Sequence, residues 1–325
     1  MDKRLRAILK THNYVSGLTF PDKSYREAVI RRLRGALLED SGKNGDITTR
    51  AVLAPSQRMK AVLVSKQHGV LAGMREILFF LNNGGGLWHG RRLFNKIQVS
   101  HPLTDGSKIM KGSILCVLEG NAIDILKVER TLLNFLQHMC GVASFSNVFV
   151  KKCEKYPVLV CSTRKTPWGL LDKRACVVGG AGTHRLNLSD ALLIKDTHLD
   201  LIKHDFEPLA KLLMNARELG RFVEIEVESL RDARKAVEVL RKVQNTLHLP
   251  CFIMLDNMKP YEIGKFVREL KSGFGTEKIF LEASGGITLK NILQYAKTGV
   301  DVLSVGAITH SAPAMDISLK ILREH

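Results

Sequence analysis

Several features are scarce in this chain, and each scarcity excludes something. The 325 residues contain six cysteines: Cys116, Cys140, Cys153, Cys161, Cys176 and Cys251. None are arranged as C-x-x-C, and several sit in apolar runs such as ILCVL and PVLVCS. Reduced, buried thiols are expected, not a disulfide framework or a zinc site. No apolar run approaches the roughly 20 residues needed to span a bilayer. The opening MDKRLRAILKTHNY lacks the apolar stretch of a signal peptide and the serines of a transit peptide. The expected location is therefore cytoplasmic. Aromatic residues make up only 6%, with no interleaving of basic and aromatic side chains, so a stacking platform for single-stranded nucleic acid is disfavoured. Acid is also short: 32 Asp plus Glu face 49 Lys plus Arg, a net charge of +17.

That excess favours an anionic partner, whether nucleic acid, anionic lipid or a phosphorylated metabolite. Much of it lies in helical stretches such as YREAVIRRLRGALLED, where a solvated face accounts for it. Residues 1–24 are basic with few structural signals, and residues 25–41 carry a helical pattern. Between 50 and 120, short apolar runs separated by glycines predict a small β-rich unit. Residues 121–150 predict one long helix, with Arg130, Asn134 and Gln137 forming a polar stripe at i, i+4 and i+7. The resulting division is a basic extension (1–24), an N-terminal α/β domain (25–150), an α/β domain (151–310), and a C-terminal helix (311–325) packing back on the N-terminal domain.

From residue 157 the pattern becomes regular. Strand-like runs at 158–162, 191–195, 222–228, 252–256, 279–284 and 302–306 alternate with helical stretches, which predicts a parallel sheet. Polar residues stand at the strand ends. Arg164 and Lys165 follow the first, Lys195 ends the second, and Glu224, Glu226 and Glu228 share one face of the third. Asp256 ends the fourth, Ser284 the fifth before Gly285 and Gly286, and Gly306 the sixth. An α/β barrel builds its active site from such ends, and an open doubly wound sheet binds ligands there too. Fewer than eight units are present, so a barrel would be incomplete.

The chemistry of these residues points to a small, densely anionic substrate. EASGGIT and SVGAITHS each place glycine between strand and helix, a pattern suited to phosphate. Glu226 and Asp256 can hold Mg²⁺, accept from sugar hydroxyls, or stabilise positive charge developing at a sugar carbon. Arg164, Lys165, His184, Arg185 and Lys195 form a cationic wall, with arginine suited to carboxylate or phosphate. An enzyme for a phosphorylated substrate and a carboxylate, helped by a metal, follows. The reaction itself does not.

These motifs resemble the quinolinate phosphoribosyltransferase family. The matching segments run from about residue 36 to the end: LLEDSGKNGDITT, KQHGVLAG, VERTLLNFLQHMCGVAS, TRKT, GTHRLNL, LLIKDTH, VEIEVESL, IMLDNM, LEASGGIT and GVDVLSVGAITHSAPAMDISLKI. The resemblance implies an N-terminal open α/β sandwich, a C-terminal irregular (incomplete) α/β barrel, and a homodimer. It implies transfer of a phosphoribosyl group from phosphoribosyl pyrophosphate to quinolinate, giving nicotinate mononucleotide, pyrophosphate and CO2 with Mg²⁺, in NAD biosynthesis. By motif, Arg130 would reach quinolinate from the other subunit. Arg164, Lys165, His184, Arg185 and Lys195 would bind carboxylates and phosphates, with Lys165 also catalytic. Glu226 and Asp256 would be catalytic and hold Mg²⁺ and the ribose. Ser284, Gly285, Gly286 and Gly306 would cradle the 5′-phosphate.

The chain departs from the family pattern in places. PWGLLDK follows TRKT where T-P-G-L-R is usual, Thr183 stands for asparagine before His184, and Thr197 stands within the IKDTH segment where the family has asparagine. These changes cluster around the acid-binding motifs. One alternative is therefore a divergent paralogue, resembling the molybdenum-associated relative, that acts on another ring acid. Another is a basic nucleic-acid-binding protein on a degenerate enzyme fold, supported by the charge and the basic N-terminal arm.

Overall fold

A computed structural model describes residues 3–88, 90–216, 220–273 and 279–322, and places them in two compact units. Residues 217–219, within one helical stretch read above, and 323–325, at the end of the C-terminal segment, lie outside the described residues.

One unit comprises 15–147, 170–180 and 312–325. Its antiparallel sheet has the strand order Ile317–Ile321, Arg58–Ser65, Ile114–Asn121, Gln98–Ser100. The C-terminal segment is thus an edge strand, not the expected helix. Its sequence explains this: in ISLKI apolar and polar residues alternate with the strand period of two, and Leu319 pairs with Leu63. The long helix runs Ala122–Cys153, and residue 122 to 147 belong to this unit. It is apolar enough to be packed on most sides, with Leu132, Phe135, Leu136 and Met139 buried. Gly141 on this helix meets the chain at Pro313: a Cβ there would lie 2.2 Å from the Pro313 carbonyl oxygen. Gly141→Ala should therefore destabilise the protein by roughly 2–4 kcal/mol, read as a lowered midpoint in chemical or thermal unfolding. An unchanged midpoint would contradict this packing.

The other unit comprises 1–14, 148–169 and 181–311. Six parallel strands lie in the order Leu159–Cys161, Val302–Ser304, Ile279–Ser284, Cys251–Asp256, Val223–Val227, Leu192–Ile194. In chain order this is 1-6-5-4-3-2, so every junction is filled except that between the first and second strands. The sheet is barrel-like and open on one side. Leu159, Ala191, Phe222, Phe252, Phe280 and Val302, one from the beginning of each strand or the residue before it, cluster around Ile8. Such convergence requires the sheet to curl. The plug is the helix Lys3–His12, in the basic segment that carries few structural signals. Arg4 fixes it through a two-pronged pair with Asp301, Nε to Oδ1 at 2.5 Å and Nη2 to Oδ2 at 2.7 Å.

All six cysteines are buried, and burial pushes the Cys116, Cys140 and Cys251 thiols up to about 12. Among the described residues no helix is long and apolar enough to cross a membrane.

Candidate active site

The barrel interior is layered, because inward residues recur every second position along each strand. Phe222, Phe252, Phe280 and Val302 form the bottom. Glu224, Met254, Glu282 and Ser304 follow, two residues further along. Glu226, Asp256 and Ser284 come next, and they open onto a cavity of about 600 Å³ at the C-terminal ends of the strands. The cavity is also lined by Thr163, Arg164, Lys165, His184, Arg185, Lys195, Asp196, Glu228 and Asn257, with Leu193 and Met254 as its apolar part.

Eight residues singled out from sequence therefore meet in one space: Arg164, Lys165, His184, Arg185, Lys195, Glu226, Asp256 and Ser284. Gly285, Gly286 and Gly306 adjoin it without lining it. Gly285 has φ +85°, and a Cβ there would come within 2.2 Å of Asn257 Oδ1, so glycine is required where the fifth-strand turn abuts the fourth. Gly306 lies beside Lys165: a Cβ would be 3.4 Å from its Cδ. Arg130 belongs to the other compact unit, is exposed on the long helix, and is not among the cavity residues.

The electrostatics are uneven in a telling way. Arg185 is only 5% exposed. Its Nη1 donates to the Ala191 carbonyl at 3.3 Å, and no carboxylate pairs with it among the described residues. Burial, then the neighbouring Arg164, lowers its pKa. Glu224, Glu226 and Asp190 oppose this lowering in part, each from beyond ion-pair distance, so an arriving anion still gains by pairing with it. Opposite it, Glu226 Oε2 lies 3.5 Å from Lys195 Nζ. Burial raises the Glu226 pKa, and Lys195 opposes the rise. Asp256 Oδ2 accepts from Asn257 Nδ2 at 2.7 Å. Cations and acids thus share one cup without neutralising one another fully.

Beneath the cavity lies a group that the sequence reading missed. His184 Nε2 is 3.0 Å from Glu224 Oε2 and 3.4 Å from Glu282 Oε2, and His12 Nε2 is 3.5 Å from Glu282 Oε2. All four residues are buried. Burial alone would lower the His184 pKa, but Glu282 and Glu224 outweigh it and raise it to about 9. Glu224 is pushed up to about 7 by burial and by Glu282. Burial opposes ionisation of Glu282 too, yet His184 and His12 hold it below the usual carboxylate range. His12 is lowered to about 4, chiefly by burial. The period-two rule already put Glu224 on the face of Glu226, and it puts Glu282 on the face of Ser284. Nothing in the sequence placed His12 here.

Comparison with known proteins fits this geometry. The model of the quinolinate phosphoribosyl transferase C-terminal domain matches residues 142–320, and that of the N-terminal domain matches 46–140. The chain belongs to the quinolinate phosphoribosyltransferase family. It is 36% identical over 310 residues to a probable nicotinate-nucleotide pyrophosphorylase [carboxylating] of Methanocaldococcus jannaschii, covering 92% of this chain and 99% of that one. It is 34% identical to the Mycobacterium leprae nicotinate-nucleotide pyrophosphorylase [carboxylating], covering 91% and 98%. The solved structure of nicotinate-nucleotide pyrophosphorylase from Ehrlichia chaffeensis superposes with a TM-score of 0.75 at 32% identity, covering 89% and 97%. The cavity residues fall within the part that matches the phosphoribosyltransferase C-terminal domain, whereas His12 precedes both matched segments.

Proposed function

We propose that this protein transfers the phosphoribosyl group of phosphoribosyl pyrophosphate to quinolinate, releasing pyrophosphate and CO2 and giving nicotinate mononucleotide for NAD biosynthesis. The observation that carries the reading is the buried Arg185, with no carboxylate at ion-pair distance among the described residues, facing the same cavity as Glu226 and Asp256. A pyridine dicarboxylate brings two negative charges to the cationic side, where Arg164, Lys165 and His184 accompany Arg185. Cations in that position neutralise the carboxylates and hold the ring so that its nitrogen faces the ribose. The carbon–oxygen bond to pyrophosphate breaks as the nitrogen–carbon bond forms, and positive charge grows at the ribose carbon. Glu226 and Asp256 are the acids available to stabilise it. Loss of CO2 leaves its electron pair on the ring carbon beside the newly cationic nitrogen, and a proton then takes that position.

Glu226 and Asp256 offer the oxygen donors that Mg²⁺ prefers, and Lys195 neutralises only one of the two. When bound there, the ion would screen the pyrophosphate charge. Ser284, with the Gly285–Gly286 turn and Gly306 nearby, supplies the neutral donors suited to the 5′-phosphate. Arg130 would serve the site of a second copy in a homodimer, and the setting would be cytoplasmic. The family departure at Thr183 does not argue for another acid, since Thr183 is fully buried and lines no part of the cavity.

The test is an assay with phosphoribosyl pyrophosphate and a panel of pyridine mono- and dicarboxylates, following pyrophosphate and CO2 separately. Equimolar release of both with pyridine-2,3-dicarboxylate alone is expected. Pyrophosphate without CO2, or a preference for another acid, would overturn the assignment of quinolinate.

A further inference from the structure

The N-terminal segment preceding the matched family domains does more than plug the barrel. The His12 carbonyl accepts from the backbone N–H groups of Thr183, at 2.6 Å, and His184, at 3.0 Å. The Thr183 hydroxyl stands 3.0 Å from the same carbonyl and accepts from Tyr14 N–H at 3.1 Å. Arg221 Nη1 donates to the Thr11 carbonyl, and its Nη2 donates to the His184 carbonyl at 3.3 Å. Arg221 is itself anchored by Asp190, Nε to Oδ1 at 2.6 Å, and lies over the Tyr14 ring at 4.5 Å. His12 Nδ1 is 3.0 Å from Thr11 Oγ1, and its Nε2 lies 3.5 Å from Glu282 Oε2 without a hydrogen bond between them. Glu282 in turn faces His184.

All these bonds converge on one short loop. Its His184 has φ +52°, a backbone region that a residue with a side chain adopts at a cost of order 1–3 kcal/mol and keeps only when its surroundings enforce it. Arg185 N–H donates to His184 Nδ1 at 2.7 Å, which links the ring orientation to the backbone that carries Arg185. With Nδ1 accepting that bond the ring carries its hydrogen on Nε2, and the rise in pKa that Glu282 and Glu224 impose works against the bond. The four buried groups have the spacing of a cation site, with ligand atoms within 4.8 Å of one another. With the ring hydrogen on Nε2, however, His184 offers no lone pair there to a cation.

We propose that Thr11–Tyr14 is a positioning strap for the acid-binding pair His184–Arg185, with the Thr183 hydroxyl as its clasp and His12 as its anchor through Glu282. The proposal rests on the function given above, and it gives Thr183 a role. The residue that departs from the family pattern receives a strap that is not part of the matched domains.

The experiment compares Thr183→Val, Thr183→Ser and His12→Leu with the wild-type protein. Thr183→Val keeps the shape but leaves Tyr14 N–H without its acceptor, while the His12 carbonyl keeps the Thr183 and His184 N–H groups. The KM for pyridine-2,3-dicarboxylate should rise about tenfold while that for phosphoribosyl pyrophosphate stays within about twofold, in keeping with the loss of one buried hydrogen-bond connection. Calorimetric binding of the dicarboxylate should weaken in parallel. Thr183→Ser, which retains the hydroxyl, should restore acid affinity, and His12→Leu should repeat the selective loss. Equal rises in both KM values with a lowered melting temperature would reduce the strap to a structural role and overturn the proposal. So would unchanged acid affinity in Thr183→Val, or a stoichiometric metal ion lost on His12→Leu. A wild-type protein inactive with both substrates would instead refute the proposed function.

Discussion

Arg185→Ala should lower kcat/KM for the pyridine dicarboxylate roughly 1,000-fold without weakening the fold. The size follows from the surroundings of the guanidinium. It is buried, its recorded acceptor is a backbone carbonyl, and Arg164 repels it. A charge-assisted pair formed by an incoming carboxylate in that setting contributes several kcal/mol, and each 1.36 kcal/mol is a factor of ten. The second half of the prediction distinguishes this arginine from an ordinary structural one. In the unliganded protein Arg185 costs desolvation and repulsion from Arg164, which Glu224, Glu226 and Asp190 offset only in part, so its removal should leave the melting temperature equal or higher. Steady-state kinetics and thermal unfolding of one preparation measure both. A loss within threefold, or a drop in activity matched by collapse of the melting transition, would remove Arg185 from acid binding. Arg185→Lys should recover little, because a point charge cannot reproduce a two-pronged grip on a carboxylate.

What could be read from the sequence, and what could not, divides along physical lines. The six parallel strands were legible because each is a short apolar run ending in polar residues. Their ends were legible because the pleat has a fixed period: once Glu226 faces the interior, so does Glu224. Lys195, Asp256 and Ser284 fell into place by the same rule. The plug could not be read that way. KRLRAILKTH is an amphipathic helix like many others, and only the curl of the sheet makes Ile8 its centre. His12 is more extreme. It is one histidine in a basic stretch, and it becomes part of a buried network through residues 170 and more positions away. The C-terminal strand was misread for a different reason. Five alternating residues carry little signal alone, and they are fixed as a strand by pairing with Arg58–Ser65, far away in sequence.

Glu226→Gln should reduce kcat roughly 1,000-fold while leaving dicarboxylate binding to the free protein nearly unchanged. The substitution keeps the shape and removes only the charge, so its effect isolates electrostatics. Glu226 pairs with Met254 of the fourth strand near the end of its own, and Asp256 pairs with Ser284 in the fifth, so both acids stand on the same rim. If positive charge develops at the ribose carbon as pyrophosphate leaves, a fixed carboxylate below it strengthens its interaction in the transition state more than in the ground state, and the loss appears in kcat. Loss of single preorganised groups of this kind typically changes rates by factors of 10² to 10³. The neighbouring lysine gives a further check. Lys195 loses its partner at 3.5 Å in Glu226→Gln, becoming an extra cation at the rim. Phosphoribosyl pyrophosphate should then bind at least as tightly while turning over slowly. Raising Mg²⁺ should recover only the part of the loss that comes from ion binding, since the missing charge beneath the sugar stays missing. If high Mg²⁺ restores kcat fully, Glu226 is a ligand alone. If kcat is unaffected throughout, the acid side of the cavity does not face the reacting carbon.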